Sequence, residues 1–90
     1  MSWYVYLIEC RDGSIYTGIA RDVVARYAAH ASGKGARYTR SRPPERLIAV
    51  FAAADRSAAL REELRIKRLS AQQKRALAGR FDAAAPGIST

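Results

Sequence analysis

The sequence predicts an α/β fold: a small three-stranded, mainly antiparallel sheet flanked by helices, in the order β-β-α-β-α-α. Three observations predict it. Two runs rich in aromatic and β-branched residues lie near the N terminus with a turn signal between them. A third apolar run follows Pro43-Pro44. Three further segments carry helix-period apolar residues behind Asp or Ser caps.

The elements follow in order. Residues 3–9, Trp-Tyr-Val-Tyr-Leu-Ile-Glu, read as a first strand and residues 14–20, Ser-Ile-Tyr-Thr-Gly-Ile-Ala, as a second. Between them, Cys10-Arg11-Asp12-Gly13 signals a hairpin. Residues 22–31 read as a helix capped by Asp22, with an apolar stripe of Val23, Val24, Tyr27, Ala28 and Ala31. Gly33 and Gly35 end it. Residues 33–46 form a long basic loop in which Pro43-Pro44 excludes helix. A connection of that length in so small a domain is functional or disordered. Leu47, Ile48, Val50 and Phe51 mark a third strand over residues 47–53. Asp55 or Ser57 then caps a helix reaching about Leu69. Ser70-Ala71-Gln72-Gln73 has the form of a capping box and starts another, which Gly79 closes. Residues 1–80 make one domain, and residues 81–90, with Pro86 and Gly87, read as a frayed tail.

Composition narrows the function. The chain has 90 residues, 18 of them alanine, so its core is thin. Sixteen cations, thirteen of them arginine, oppose eight acids for a net charge of +8. Arginine offers a planar fork to phosphate and stacks on bases. A small domain this basic points to a polyanion. The single cysteine, Cys10, excludes an internal disulfide and a multi-Cys zinc site. No apolar run approaches the ~20 residues of a membrane span, and no signal-peptide pattern opens the chain. A cytoplasmic monomer with no membrane partner is expected.

Four groups of residues could carry chemistry. Tyr6 and Tyr16 fall on opposite faces if the hairpin turn has two residues. With a three-residue Arg11-Asp12-Gly13 loop, Ile8 faces Tyr16, Tyr6 faces Gly18, and the tyrosines share a face. That register needs φ > 0 at Gly13 and is the preferred one. Gly18 then leaves space beside the Tyr6 ring. Arg26 and His30, the only histidine, are i and i+4 on the first helix and share its margin, where they can grip a phosphate and move a proton. On the helix over 57–69, Ala59, Leu60, Leu64, Ile66 and Leu69 mark an apolar arc, with Arg61, Arg65 and Arg68 opposite. Glu62 and Glu63 both fall within the arc, where a carboxylate is costly unless paired or metal-bound. The helical wheel does not separate the two. Lys34, Arg37, Tyr38, Arg40, Arg42 and Arg46 interleave cations with an aromatic, a pattern suited to a nucleic-acid groove. A second cation set, including Lys67, lines the C-terminal helices.

These pieces, in this order, resemble the GIY-YIG nuclease domain, and in particular its small single-domain bacterial branch, uncharacterised protein family 0213. Tyr4-Val5-Tyr6 and Tyr16-Thr17-Gly18 stand for the two signature halves. Arg26 and His30 match the family's helix pair, and Glu63 its metal-binding glutamate. Gly33-Lys34-Gly35-Ala36-Arg37-Tyr38-Thr39-Arg40 resembles that branch's loop. Tyr4 stands where the family has its first glycine and Thr17 where it has isoleucine; the chain contains no asparagine, which many members carry after the glutamate. The resemblance implies a GIY-YIG fold and a metal-dependent endonuclease acting on nucleic acid, DNA before RNA. It implies Mg²⁺ or Mn²⁺ on Glu63, catalytic roles for Tyr6, Tyr16, Arg26, His30 and Glu63, and nucleic-acid contacts from Lys34, Arg37, Tyr38, Arg40, Arg42 and Lys67. Either tyrosine fits the role of general base; Tyr6 is preferred, with His30 relaying its proton. The alternative reading is a nucleic-acid-binding module with a weak or inactive site.

Overall fold

The computed structural model describes residues 2–82, with side chains as far as Gly79. Strands β1 (Trp3–Cys10) and β2 (Ile15–Ala20) form the hairpin. Helices α1 (Val23–Ala31) and α2 (Arg37–Ser41), strand β3 (Pro44–Ala53), and helices α3 (Arg56–Lys67) and α4 (Ala71–Asp82) follow. The sheet is antiparallel with order β2-β1-β3, so β1 is central.

The hairpin loop has three residues. Cys10 N–H donates to the Ser14 carbonyl at 2.8 Å, and Gly13 N–H to the Cys10 carbonyl at 2.9 Å. Gly13 sits at φ +88°, where a Cβ would be strained. The Asp12 carboxylate accepts from the Ser14 N–H at 3.0 Å and from its hydroxyl at 2.6 Å, which ties the loop closed. The register that results sets Ile8 opposite Tyr16 and Tyr6 opposite Gly18, and both tyrosines face the same way.

Strand alternation divides the molecule into layers. Val5, Leu7 and Ile15 pack with Ala49 against Ala59 and Ile66 of α3 and Ala78 of α4. Tyr6, Ile8, Cys10 and Ala20 face the other way, with Tyr16, Val23, Tyr27, Tyr38, Leu47 and Val50 around them. Helices α3 and α4 therefore cover one face of the sheet, and α1 and α2 the other. Asp22 and Asp55 cap α1 and α3 by accepting from Ala25 N–H at 3.0 Å and Ala58 N–H at 2.8 Å. The Ser70–Gln73 box is reciprocal, with Ser70 N–H on Gln73 Oε1 at 2.8 Å and Gln73 N–H on Ser70 Oγ at 3.1 Å. Helix α4 is latched to the hairpin: Lys74 Nζ donates to the Ile15 carbonyl at 3.1 Å, and Arg75 reaches Glu9 and the Gly13 carbonyl.

Several expectations are corrected. The 33–46 connection is not a plain loop, because α2 occupies Arg37–Ser41 and β3 begins at Pro44. Proline is tolerated there because β3 is an edge strand and Pro44 is its first residue. Gly79 does not end α4, which continues to Asp82; residues 83–90, most of the segment read as a tail, lie outside the described residues. Val24 is 80% exposed and Leu64 is 57% exposed, so neither belongs to a core-facing stripe. The inward face of α1 is Val23, Tyr27 and His30, spaced i, i+4, i+7.

Candidate active site

The sequence gathers its polar aromatics on the face of the sheet that α1 covers. Tyr6, at the middle of the central strand, is 1% exposed. Its hydroxyl lies 2.8 Å from Nε2 of His30, which is equally buried. Tyr16 completes the group, its ring centroid 6.3 Å from that of Tyr6 and 5.0 Å from that of His30. Two glycines permit this closeness. A Cβ at Gly18 would stand 2.5 Å from the Tyr6 hydroxyl and 3.0 Å from the Tyr16 ring. A Cβ at Gly35 would overlap the His30 ring, 2.8 Å from Cγ.

The charges around these rings come from two helices. Arg26 of α1 pulls the pKa values of Tyr6, Tyr16 and His30 down. The Glu63 carboxylate of α3 pushes both tyrosines up. Burial outweighs either charge. It is the first cause raising Tyr6 to about 12, with the neighbouring Tyr16 second. It likewise raises Tyr16, and it lowers His30, where Arg26 adds to the effect.

The two glutamates separate clearly. Glu62 pairs with Arg65 at the surface, its side chain 42% exposed. The Glu63 side chain is 13% exposed and pairs with Lys67 at 3.5 Å. Among the described residues, no three His, Cys, Asp or Glu side chains gather as a ready metal cage. Glu63 is thus one carboxylate beside two tyrosines, a donor set that suits an ion completed by water and substrate phosphate, as Mg²⁺ commonly is.

These geometries stand beside a family match. The sequence profile of the GIY-YIG catalytic domain covers residues 2–76. The chain belongs to the GIY-YIG nuclease family. It is 52% identical over 85 residues to the UPF0213 protein H16_B0156 of Cupriavidus necator, spanning 94% of this chain and 92% of that one. It is 51% identical over 77 residues to the UPF0213 protein BH0048 of Halalkalibacterium halodurans, spanning 86% and 82%. The solution structure of BH0048 matches the fold with a TM-score of 0.54 at 49% identity, covering 88% of this chain and 84% of that chain. The solution structure of EF2693 from E. faecalis matches with a TM-score of 0.61 at 35% identity, covering 92% and 88%.

In this GIY-YIG domain the two signature halves are the paired strands that set Tyr6 against Gly18. Thr17, at the signature's isoleucine position, is 2% exposed, and its hydroxyl has no hydrogen-bond partner among the described residues. The basic connection divides in two. Lys34, Arg37 and Arg40 are exposed and make no ion pair among the described residues. Arg42 is engaged: it pairs with Asp12 at 3.2 Å and lies over the Tyr38 ring at 4.6 Å. Tyr38 in turn stands 5.6 Å from Tyr16, which continues the aromatic row outward. Lys67 is held on Glu63, and Arg65, Lys74 and Arg75 are likewise bound to the protein itself. One residue of the cluster escaped the sequence reading. Thr39, 1% exposed, has its hydroxyl 2.7 Å from Nδ1 of His30. The available signal was the small-residue run Gly35-Ala36 shortly after the only histidine.

Proposed function

We propose that the chain is a divalent-metal-dependent endonuclease that hydrolyses phosphodiesters, DNA before RNA, by in-line attack of water. The observation that carries this reading is the grouping of Tyr6, Tyr16, Arg26, His30 and Glu63 around one buried aromatic cluster. Glu63 would hold Mg²⁺ or Mn²⁺, which supplies Lewis-acid stabilisation of the charge on the leaving oxygen. Arg26 neutralises the non-bridging phosphate oxygens. Tyr6 takes the proton of the attacking water, and Tyr16 orients water or phosphate beside it. At about 12, Tyr6 is protonated near neutrality. Its work as a base depends on Arg26, which draws its pKa down. Lys34, Arg37 and Arg40 supply exposed charge for the phosphate backbone. Tyr38 and Arg42 form a stacked shelf beside Tyr16, and Lys67, paired with Glu63, adds a further cation for the phosphate backbone.

The test is a cleavage panel over single-stranded, double-stranded and branched DNA and RNA, with Mg²⁺ and Mn²⁺. Wild-type protein nicks at least one of them. Glu63→Ala abolishes nicking while salt-sensitive binding persists. Equal activity in that variant refutes the assignment. Binding with no cleavage of any substrate by the wild-type protein points instead to the binding module.

A further inference from the structure

We propose that Thr39 and the backbone of Ala36 hold His30 as its Nε2–H tautomer, so that the ring gives a hydrogen bond to the Tyr6 oxygen and does not receive one. One part-buried corner decides the tautomer. Four polar groups meet there: Nδ1 of His30, the Thr39 hydroxyl, and the N–H and carbonyl of Ala36. Thr39 Oγ lies 2.7 Å from Nδ1 and 3.0 Å from the Ala36 carbonyl, and it has one hydrogen to give. The Ala36 carbonyl already accepts from Arg40 N–H at 3.2 Å, so it is satisfied without Thr39. The Ala36 N–H can only donate, and its acceptor among the described residues is Nδ1 at 3.4 Å.

If Nδ1 carried a hydrogen, it would face the Ala36 N–H, and that part-buried donor would have no partner among the described residues. With the lone pair on Nδ1, both the Thr39 hydroxyl and the Ala36 N–H are satisfied. Nε2 then bears the hydrogen, 2.8 Å from the Tyr6 oxygen, and the hydroxyl hydrogen of Tyr6 turns away from the ring. The surroundings agree. Burial and Arg26 both disfavour a charged ring, so the imidazole stays neutral and acts as a donor. Gly35 lets the chain close over the ring, since any Cβ there would strike it.

The consequence for chemistry rests on the nuclease reading. The Tyr6 oxygen receives His30 Nε2–H and lies under the influence of the Arg26 guanidinium. Both favour the phenolate, and His30 supports Tyr6 as a fixed dipole instead of taking its proton. Thr39 is a positioning residue: it acts on Tyr6 through His30.

The experiment uses tag-free protein, in which His30 is the only histidine and its ring nitrogens are the only imidazole signals. Long-range ¹H–¹⁵N correlation distinguishes the nitrogens by their couplings to Hδ2 and Hε1, and it needs neither metal nor substrate. The expected result at neutral pH is a protonated Nε2 and an unprotonated Nδ1. Thr39→Val shifts both nitrogens toward a tautomer average, and Thr39→Ser restores the wild-type pattern. In the cleavage assay Thr39→Val lowers kcat by about tenfold with KM little changed, the size of one lost orienting hydrogen bond. A protonated Nδ1 in the wild-type protein overturns the proposal, and that spectrum decides even if Thr39→Val does not fold. An unchanged pattern in a folded Thr39→Val overturns the part given to Thr39. Absence of cleavage by the wild-type protein would count against the nuclease reading and leave the tautomer as measured.

Discussion

Replacing Gly18 with alanine tests the geometry of the cluster most directly. The added Cβ would lie 2.5 Å from the Tyr6 hydroxyl, 2.6 Å from Cζ and 3.0 Å from the Tyr16 ring. Ordinary contact lies beyond 3.4 Å, so the Tyr6 ring tip must retreat by about 1 Å. It has little freedom to do so, being 1% exposed and bound to His30 at 2.8 Å. The cost is overpacking of about 1–3 kcal/mol, with about 1 kcal/mol more if the Tyr6–His30 bond breaks. Alanine recovers about 0.5–1 kcal/mol by restricting the unfolded chain. The net expectation is a loss of about 1–3 kcal/mol, read as a lower urea midpoint with an unchanged m-value. Gly79→Ala is the matched control. Its Cβ meets nothing within 4 Å, and the position lies inside α4, so it should stabilise by about 0.5–1 kcal/mol. A 1 Å displacement of Tyr6 should also lower kcat by about 100-fold. Wild-type stability in Gly18→Ala would refute the account of why the signature glycine is there.

Four further outcomes follow from the same structure. Thr17→Val removes a buried, unpartnered hydroxyl at constant shape and should raise stability by about 1 kcal/mol in urea unfolding. His30 has a folded pKa below its unfolded value near 6.5, so its contribution is fully present above that pH and is lost as pH falls through the folded value. Stability should therefore decline on acidification below about 6.5, with a slope that His30→Gln removes; an unchanged slope in that variant would count against the neutral ring. Glu63→Gln removes the charge that raises both tyrosines, so their phenolate absorbance should appear at lower pH; no shift would place Glu63 farther away. Arg37→Ala, Arg40→Ala and Lys34→Ala should each cut the salt slope of nucleic-acid binding by about one, whereas Arg65→Ala, a residue already paired with Glu62, should leave it unchanged.

Local chemistry made much of the fold legible. A single glycine after Arg11-Asp12 distinguished a three-residue loop from a two-residue one and so placed both tyrosines on one face. Asp22, the Asp55-or-Ser57 choice that Asp55 settles, and the Ser70–Gln73 pair announced three helix starts because capping is decided within a few residues. Helix α2 was illegible because its five residues cannot stand alone. Its buried Thr39 is held on His30, nine positions away in sequence. Periodicity showed that α1 and α3 are amphipathic but not where each buried arc ends. Val24 and Leu64 therefore read as core and lie in solvent. Glu62 and Glu63 both fall within the apolar arc of the wheel, and only their surroundings separate a surface pair with Arg65 from a carboxylate held by Lys67 and acting on the tyrosines.

The candidate site is also half of the core. On the face covered by α1 and α2, the largest fully buried side chains are Tyr6, Ile8, His30, Thr39 and Cys10. Three of these five carry the polar chain from Tyr6 through His30 to Thr39. A chain this short cannot bury a separate apolar layer beneath a polar one, so the same hydrogen bonds that orient the rings also hold α1 and α2 to the sheet. A change that strands one of them leaves a buried polar group unpaired, at about 1–3 kcal/mol, in a domain whose whole stability is of order 5–15 kcal/mol. Truncation to alanine at Tyr6 or His30 would then remove activity through unfolding as readily as through chemistry. Tyr6→Phe keeps the ring and deletes only the hydroxyl. If it abolishes cleavage while its urea midpoint falls by no more than one lost hydrogen bond, the hydroxyl has a role beyond holding the helices down.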